Sequence, residues 1–533
     1  MRALQSAIRS ERIRRTAQEK RGALRLRRGL IISTNDRSAA RIKMERSNKK
    51  IWIISIVGTV ITLLGVITGS LWPVIYDWVL FKVLMLSPSS VSYNMWKETP
   101  IPMYFKFYMF NWTNAELFRA GVKPHFEEMG PYVFREIDYK VNEVWNDNDG
   151  TVTFQRKKIW LFEESLSNGS LSDKVTNLNP IAVTIGYTVR KRPGYIRALT
   201  NGFMVRLGEK LMLTKSVREL LFEGYDDTLL RIARKMNATR LPYTKFGWFY
   251  ARNDSETYDG TFNIFTGSTN FYSMGISKEW NFKSRTDFYE GSCGAIDGSL
   301  GDLWPPLPNN DTVSIFVPDI CTSLKLSFDN TTQFQELMGN KYVGTEEMLD
   351  NGEMVPSRRC YCPNGDCGPS GTLNISSCKF GAPAFVSMPH FYLADPSYRD
   401  AITGMSPDKE KHELLMVVEP VTGIPMQVKA QLQLNLLVEP VEHMSLFQNI
   451  SKVYVPMLWF TQETNLTASY ASQVKLLLTL STLGSVTCFG IAGIGVLIFF
   501  IGLFTYIRQK WRGEEGQVLL SKYDADTVNK SEA

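Results

Sequence analysis

Two stretches of the chain run for a long way without a charged residue. One is 51-IWIISIVGTVITLLGVITGSLWPVIY-76, between Lys50 and Asp77. The other is 476-LLLTLSTLGSVTCFGIAGIGVLIFFIGLFTYI-507, between Lys475 and Arg508. A spanning helix needs about 20 apolar residues at ~1.5 Å each, and both stretches exceed that. The first begins fifty residues in, is too long for a signal-peptide core and is followed by no small-residue cleavage pattern, so it reads as a retained anchor. The stretch between the spans is rich in strand signals. In 426-MQVKAQLQLNL-436, Met426, Val428, Ala430, Leu432, Leu434 and Leu436 alternate with Gln427, Lys429, Gln431, Gln433 and Asn435. That period predicts a strand with one face in a core and the other in water. The turn at 420–423 pairs it with 414-LLMVVE-419 as a hairpin. A second hairpin is predicted around 146-NDNDG-150, and a third pairs Phe246, Trp248 and Tyr250 with Phe262 and Ile264 across residues 253–260. Helical periodicity gathers in residues 179–240, where 216-SVRELLFEGYDDTLLRIARKM-236 carries a Ser cap with Glu219 three residues on.

Charge changes this picture by orienting it. The net charge of +7 is concentrated in residues 1–50, which hold sixteen Lys/Arg against four Asp/Glu. Residues 508–533 balance five against five, which leaves the middle of the chain at −5. A mildly acidic body behind a basic tail does not describe a nucleic-acid-binding protein. Arg46, Lys49 and Lys50 precede the first span, and Arg508, Lys510 and Arg512 follow the second. The positive-inside rule then places both termini in the cytosol. The expected domains are a basic N-tail over 1–50, spans at 51–76 and 476–507, a lumenal or extracellular domain at 77–475 and a cytosolic tail at 508–533. Asn-x-Ser/Thr sequons agree: Asn111, Asn168, Asn237, Asn253, Asn310, Asn330, Asn374, Asn449 and Asn465 all lie in that domain, and those that are used must be surface sites. Asn529 lies on the cytosolic side.

Six of the seven cysteines, Cys293, Cys321, Cys360, Cys362, Cys367 and Cys378, fall in the same domain, and Cys488 lies in the second span. In an oxidising compartment six cysteines imply three disulfides with fifteen pairings open. Cys360 and Cys362 are too close to suit each other, whereas Cys362 and Cys367 flank a turn and suit a small closed loop. A zinc site lacks both a CxxC pair and a nearby histidine pair. Searches for catalysis fail too. His412 and Glu413 start like a zinc-protease helix, but Met416 stands where the second histidine belongs. There is no GxSxG elbow and no Gly-Lys dipeptide for a P-loop. The chain reads as neither an enzyme nor a cofactor or metal protein. Basic residues crowd the helical region: Lys210, Lys215, Arg218, Arg231, Arg234 and Lys235, with Arg197 and Arg206. They suit a docking surface for anionic ligands, and with five carboxylates among them they equally suit a solvated helix face.

The stretches 110-FNWTNAELFRAG-121, 130-GPYVFRE-136, 304-WPPLP-308, 316-FVPDICTSL-324, 380-FGAPAFVSMPHFYLADP-396, 412-HELLMVVEPVTGIPM-426 and 431-QLQLNLLVEP-440, with the six-cysteine pattern, resemble the class B scavenger receptor family over residues 50–510. That family includes lysosomal integral membrane, epithelial membrane and sensory neuron membrane proteins. The resemblance implies an α+β fold: two spanning helices flanking an ectodomain with an antiparallel β core, a hydrophobic tunnel and an apical helical bundle. It implies disulfides Cys293–Cys360, Cys321–Cys378 and Cys362–Cys367. It also implies capture of lipids, fatty acids or lipoprotein-like anionic ligands at the apex and delivery of apolar cargo to the membrane, with Lys210, Lys215, Arg218, Arg231, Arg234 and Lys235 as the apical candidates. Homo-oligomerisation is left open. In the tail, Glu515 with Leu519-Leu520 fits the acidic dileucine pattern read by clathrin adaptors, which suits traffic between plasma membrane, endosome and lysosome; an ordinary flexible tail fits as well. Two alternatives stand beside the lipid-handling reading. A lysosomal sorting receptor for a soluble protein would need pH control, yet no histidine lies between His125 and His390. A two-span channel would need polar pore residues, where the spans offer mostly Gly, Ser and Thr. Residues 1–43 read as an isoform-specific extension, because Met44 begins an ordinary family start. Its basic residues suit anionic lipid at the cytosolic leaflet, and a disordered tail equally.

Overall fold

The computed structural model describes residues 45–235, 243–307, 311–362, 365 and 367–529. It comprises two units, one drawn from residues 1–78 and 479–533 and the other formed by residues 79–478. The helices that matter below are α1 (Glu45–Leu84), α2 (Pro180–Val189), α3 (Gly194–Arg206), α4 (Thr228–Lys235) and α5 (Ala468–Asn529).

In the first unit α1 and α5 are long and apolar enough to cross a membrane. They touch where glycine removes the side chain. A Cβ on Gly58 would lie 2.6 Å from the Phe499 backbone nitrogen, and one on Gly65 would lie 2.7 Å from that of Ala492. Without a hydrophobic drive between helices in lipid, such close backbone approach is what holds spans together. Trp72 adds a hydrogen bond, its indole donating to the Leu480 carbonyl at 3.0 Å.

The second unit is built on one antiparallel sheet of 13 strands. Eleven form a continuous path: β1 (Met103–Trp112), β2 (Phe126–Asn146), β3 (Thr151–Phe162), β4 (Thr261–Phe265), β5 (Ser277–Trp280), β6 (Thr312–Val317), β7 (Thr322–Phe334), β8 (Leu337–Val343), β9 (Leu415–Val418), β10 (Pro425–Val438) and β11 (Val453–Asn465). Their spatial order is β6-β7-β8-β9-β10-β11-β1-β2-β3-β4-β5. The first and last strands of the unit are therefore neighbours, with Tyr104 opposite Glu463 and Met109 opposite Leu458.

The two edges, β5 and β6, do not end in solvent. Ser299 bridges to Ile276 on one side and to Ile315 on the other. The backbone bonds are Ser277 N–H to the Gly298 carbonyl at 2.8 Å, Ser299 N–H to the Ser314 carbonyl at 3.0 Å and Phe316 N–H to the Ser299 carbonyl at 2.8 Å. One residue thus bridges both edges and closes the path at that point, which shortens the unpaired edge that an open sheet would present. Gly298 makes the approach feasible. Its φ is +84°, and a Cβ there would sit 2.1 Å from the Ser314 carbonyl oxygen.

Several expected elements form otherwise than the local pattern suggests. β9 and β10 pair as a hairpin, Leu415 opposite Lys429 and Met416 opposite Val428, and β2 turns into β3 at 147–150. The polar face of β10, however, is turned from water along 431–435: Gln431, Gln433 and Asn435 are as buried as Met426, while Gln427 and Lys429 are half-buried. The segment 387–413 lies over them, and the Gln431 amide donates to the Glu413 carbonyl at 2.8 Å. The third hairpin does not form. Phe262 and Ile264 pair instead with Phe154 and Val152 of β3, and Phe246 pairs with Tyr225. The helix expected over 216–236 is split. The Ser216–Glu219 cap is present, with the Ser216 hydroxyl donating to the carboxylate at 2.7 Å. One turn later Gly224 turns left-handed, at φ 69°, and frees Tyr225 and Asp226 to join that short pairing before α4 starts. Gly298→Val places a side chain on the Ser314 carbonyl and is expected to cost about 2 kcal/mol or more. A thermal melt of the detergent-solubilised full chain reads this directly; an unchanged midpoint would show that the closure carries no weight.

Candidate functional site

The helices α2, α3 and α4 are together the candidate cap, and α2 packs against both β10 and α4. Asn179 caps α2 by accepting from the Ile181 and Ala182 amides at 3.1 and 3.2 Å, with Pro180 at the first position, where its missing N–H costs nothing. Its Ala182, Val183 and Gly186 are buried, and Gly186 leaves room for the Phe447 ring, 2.5 Å from where a Cβ would be.

α3 has two unlike faces. Its inner face is tied down. Arg197 pairs with Glu442 at 3.1 Å, the Asn201 Oδ1 accepts from the Ser445 backbone and hydroxyl at 2.7 and 2.8 Å, and Met204 is fully buried. Its outer face carries Tyr195, Leu199 and Phe203 at positions i, i+4 and i+8, exposed by 68%, 70% and 43%. Nothing lies within 4 Å of where a Gly202 Cβ would be, so the stripe is open along its length. Isolated exposed apolar residues are common, but three aligned on one helix face mark a contact surface. The sequence holds this stripe in plain view. Its period is equally what a core-facing helix shows, and so it could not be singled out beforehand.

The six cations proposed for ligand capture fall into two groups. Lys215 lies over the Tyr225 ring at 4.7 Å and within 3.8 Å of Glu219, and Arg218 pairs with Glu223 at 3.2 Å. Their charge is partly compensated by these neighbouring carboxylates. Lys210 is exposed, and so are Arg231, Arg234 and Lys235 along α4. Lys210, Arg234 and Lys235 meet no side-chain partner among the described residues. Two carboxylates sit half-buried nearby. Burial, then the neighbouring Asp227 charge, pushes Glu209 up, and burial likewise pushes Asp227 up.

The remaining predicted positions are placed as follows. Disulfides join Cys293 to Cys360, Cys321 to Cys378 and Cys362 to Cys367. Asn168, Asn253, Asn330, Asn449 and Asn465 are exposed, whereas Asn237 and Asn310 lie outside the described residues. Asn374 is a correction: it is 3% exposed and its Oδ1 accepts from the Ser376 amide at 2.9 Å, so it is no surface acceptor in the folded chain. Asn111 is half-buried in β1 and accepts from the Thr176 amide at 2.9 Å. Glu515 is exposed on α5, and Leu519 and Leu520 continue that helix. Among the described residues no group of three or more His, Cys, Asp or Glu could hold a metal ion.

Comparison with known proteins decides the family. The model of the CD36 family matches residues 56–506. The chain belongs to the CD36 family. Protein peste of Drosophila melanogaster is 38% identical over 411 residues, 76% of this chain and 73% of that protein. Scavenger receptor class B member 1 of Bos taurus is 33% identical over 422 residues, 79% of this chain and 82% of that receptor. Lysosome membrane protein 2 of Homo sapiens is 30% identical over 450 residues, 84% of this chain and 90% of that protein. As a CD36-family chain with two terminal helices able to span, it is a scavenger-receptor-type integral membrane protein with a large antiparallel β-rich domain between its spans. In this CD36-family member the α3 stripe depends on the Asn201 tether. Asn201→Ala is expected to raise amide exchange across 194–206 while leaving β10 and β11 protected; equal protection in the variant would show that packing alone holds α3.

Proposed function

We propose that the cap docks lipid-bearing or lipoprotein-like anionic particles, and that apolar cargo passes from it along the closed sheet to the membrane. The observation that carries this is the exposed Tyr195–Leu199–Phe203 stripe together with the exposed Lys210, Arg234 and Lys235, which meet no side-chain partner among the described residues. An apolar stripe with cations nearby matches a surface of acyl chains and anionic headgroups, as interfacial helices do. Room for cargo is supported by the sheet. Val428, Ala430, Leu434 and Phe460 are only half-buried, although they share a face with buried Phe105, Phe107 and Leu432. Each methylene kept out of water on such a path is worth about 0.8 kcal/mol, so a continuous apolar route favours transfer without release. The names of the similar proteins, scavenger receptor class B member 1 and lysosome membrane protein 2, support a receptor that works at membranes and visits lysosomes. On this reading both tails are cytosolic, and Glu515, Leu519 and Leu520 recruit clathrin adaptors.

Two experiments test it. Lipids extracted from the purified glycosylated chain should include defined species at near-stoichiometric amounts, beyond those of a detergent-matched control. Leu199→Glu with Phe203→Glu should weaken capture of phosphatidylserine vesicles by about tenfold or more, since two apolar anchors are lost and two like charges added. Arg234→Glu with Lys235→Glu should act mainly on the association rate, and less so at high salt. A folded, lipid-free protein whose vesicle binding ignores all four changes would shift the reading to sorting of a soluble protein.

A further inference from the structure

Three of the chain's four histidines touch one short segment. The His125 Nδ1 is 2.9 Å from the Thr403 hydroxyl, the Ser406 amide donates to the His390 Nδ1 at 3.1 Å, and the Asp408 amide donates to the His412 Nδ1 at 2.9 Å. The last two fix a protonation state. A ring nitrogen that accepts from a backbone N–H carries no proton, so both rings are neutral, with hydrogen on Nε2. The His390 Nε2–H is spoken for by Glu128, at 2.6 Å. The two imidazoles are buried and stack on each other at 4.5 Å. Protonating either would turn its Nδ1 from acceptor to donor, facing the N–H that it now receives. Protonating both would set two positive charges in contact.

We propose that residues 403–411 form a strap that the neutral His390 and His412 hold down, and that acidification to endosomal or lysosomal pH releases it. The groups facing the pair are Glu128 from β2, Tyr108 from β1 beside Trp459, Lys429 from β10 and, on the strap itself, Asp408. Trp459 donates its indole N–H to Glu128 at 2.7 Å and packs against both rings. Lys429 holds the far end of the strap by donating to the Glu410 and Lys411 carbonyls at 2.7 and 2.8 Å. The near end is held by Thr403, whose amide donates to the Pro124 carbonyl at 2.8 Å. Because the Thr403 hydroxyl can accept, the His125 contact survives protonation, so the middle of the strap opens while its ends stay attached.

The layer beneath suits the change. The face of β10 and β11 under the strap is polar: Gln431 and Gln433 with Thr461. The Gln431 Oε1 and Thr461 Oγ1 are buried with no hydrogen-bond partner. The direction of titration agrees. Burial, and then the repulsion a protonated His390 would exert, pulls His412 from 6.5 down to about 4. A folded value below the unfolded one means that the closed state gains stability above 6.5 and loses it as pH falls toward 4. The strap is independent of what the cap binds.

The test is hydrogen exchange by mass spectrometry on the full glycosylated chain in nanodiscs, at about pH 7 and about pH 5, with rates corrected for intrinsic exchange. Peptides covering 403–411 should lose protection by about tenfold or more at the lower pH, while β10 and β11 hold theirs. His390→Asn with His412→Asn keeps an acceptor near each Nδ1 position but does not titrate, so its strap should stay closed at both values. An unchanged wild-type strap at about pH 5 overturns the proposal, as does a double variant that opens as the wild type does. Should that variant fail to fold, the wild-type profile decides. A midpoint above about 4.5 supports histidine control, and one at or below it, in the carboxylate range, overturns it.

Discussion

The sheet of the large domain depends on its closure at Ser299. Thirteen strands in an open sheet would leave the outer edges of β5 and β6 unpaired over their whole length. The seam pairs one point of each edge through a single residue and passes the burden to Gly298, the only kind of residue that fits against Ser314. The loop that makes the seam is held from behind by charge. Arg156 of β3 donates to Asp302 at 2.7 Å and to the Leu300 carbonyl at 3.4 Å, and Lys140 of β2 lies 3.3 Å from Asp302. Asp138 completes the cluster, 2.9 Å from Arg156 and 3.1 Å from Lys140. Such buried pairs add little net stability compared with a well-packed apolar replacement. Removing one partner is another matter, because it strands a charge out of water at a cost of about 3–5 kcal/mol. The cluster therefore acts as a positioning device that sets where residues 298–303 must lie, and the edges meet there.

How much of this was legible in the sequence follows from the range of each signal. The spans, the β9–β10 hairpin and the Ser216–Glu219 cap are local patterns, and each is present in the structure. The seam joins residues 276, 299 and 315, none of which carries a local mark of pairing beyond Gly298. Burial of Gln431 and Gln433 was misread for a related reason. Alternation reports that the two faces of a strand differ, and it is silent on whether the polar face meets water or a polar lid. Helix splitting at Gly224 turned on a glycine that the 3.6 period tolerates but that Tyr225 and Phe246 exploit through pairing. At the cap, counting cations could not show which of them are paired. Arg218 and Lys215 face carboxylates that only the fold brings near, while Tyr195, Leu199 and Phe203 had the period of a core face and turned out to be the open one.

The molecule holds two sets of polar contacts that answer to different pH windows, and the difference is physical. Burial alone would raise the Asp138 carboxyl, but Arg156, Lys140 and Lys158 hold it well below the usual carboxylate range. The same opposition of burial and a partner charge, chiefly Arg252, holds Asp319 down. A depressed carboxylate contributes stability above its unfolded value of 3.8 and loses it only as pH falls through the lower folded value. The frame around the seam thus keeps its charges in any compartment above that range. His412 is depressed for the opposite reason: its charged form is the one that burial and a neighbouring imidazole disfavour. Its contribution disappears between 6.5 and about 4, above the range in which the depressed Asp138 and Asp319 carboxylates take up protons. A single drop in pH can therefore lift a strap whose anchors are neutral rings without loosening a sheet whose anchors are paired charges. Had the frame been fastened with histidine, or the strap with arginine and aspartate, the two would open together or not at all.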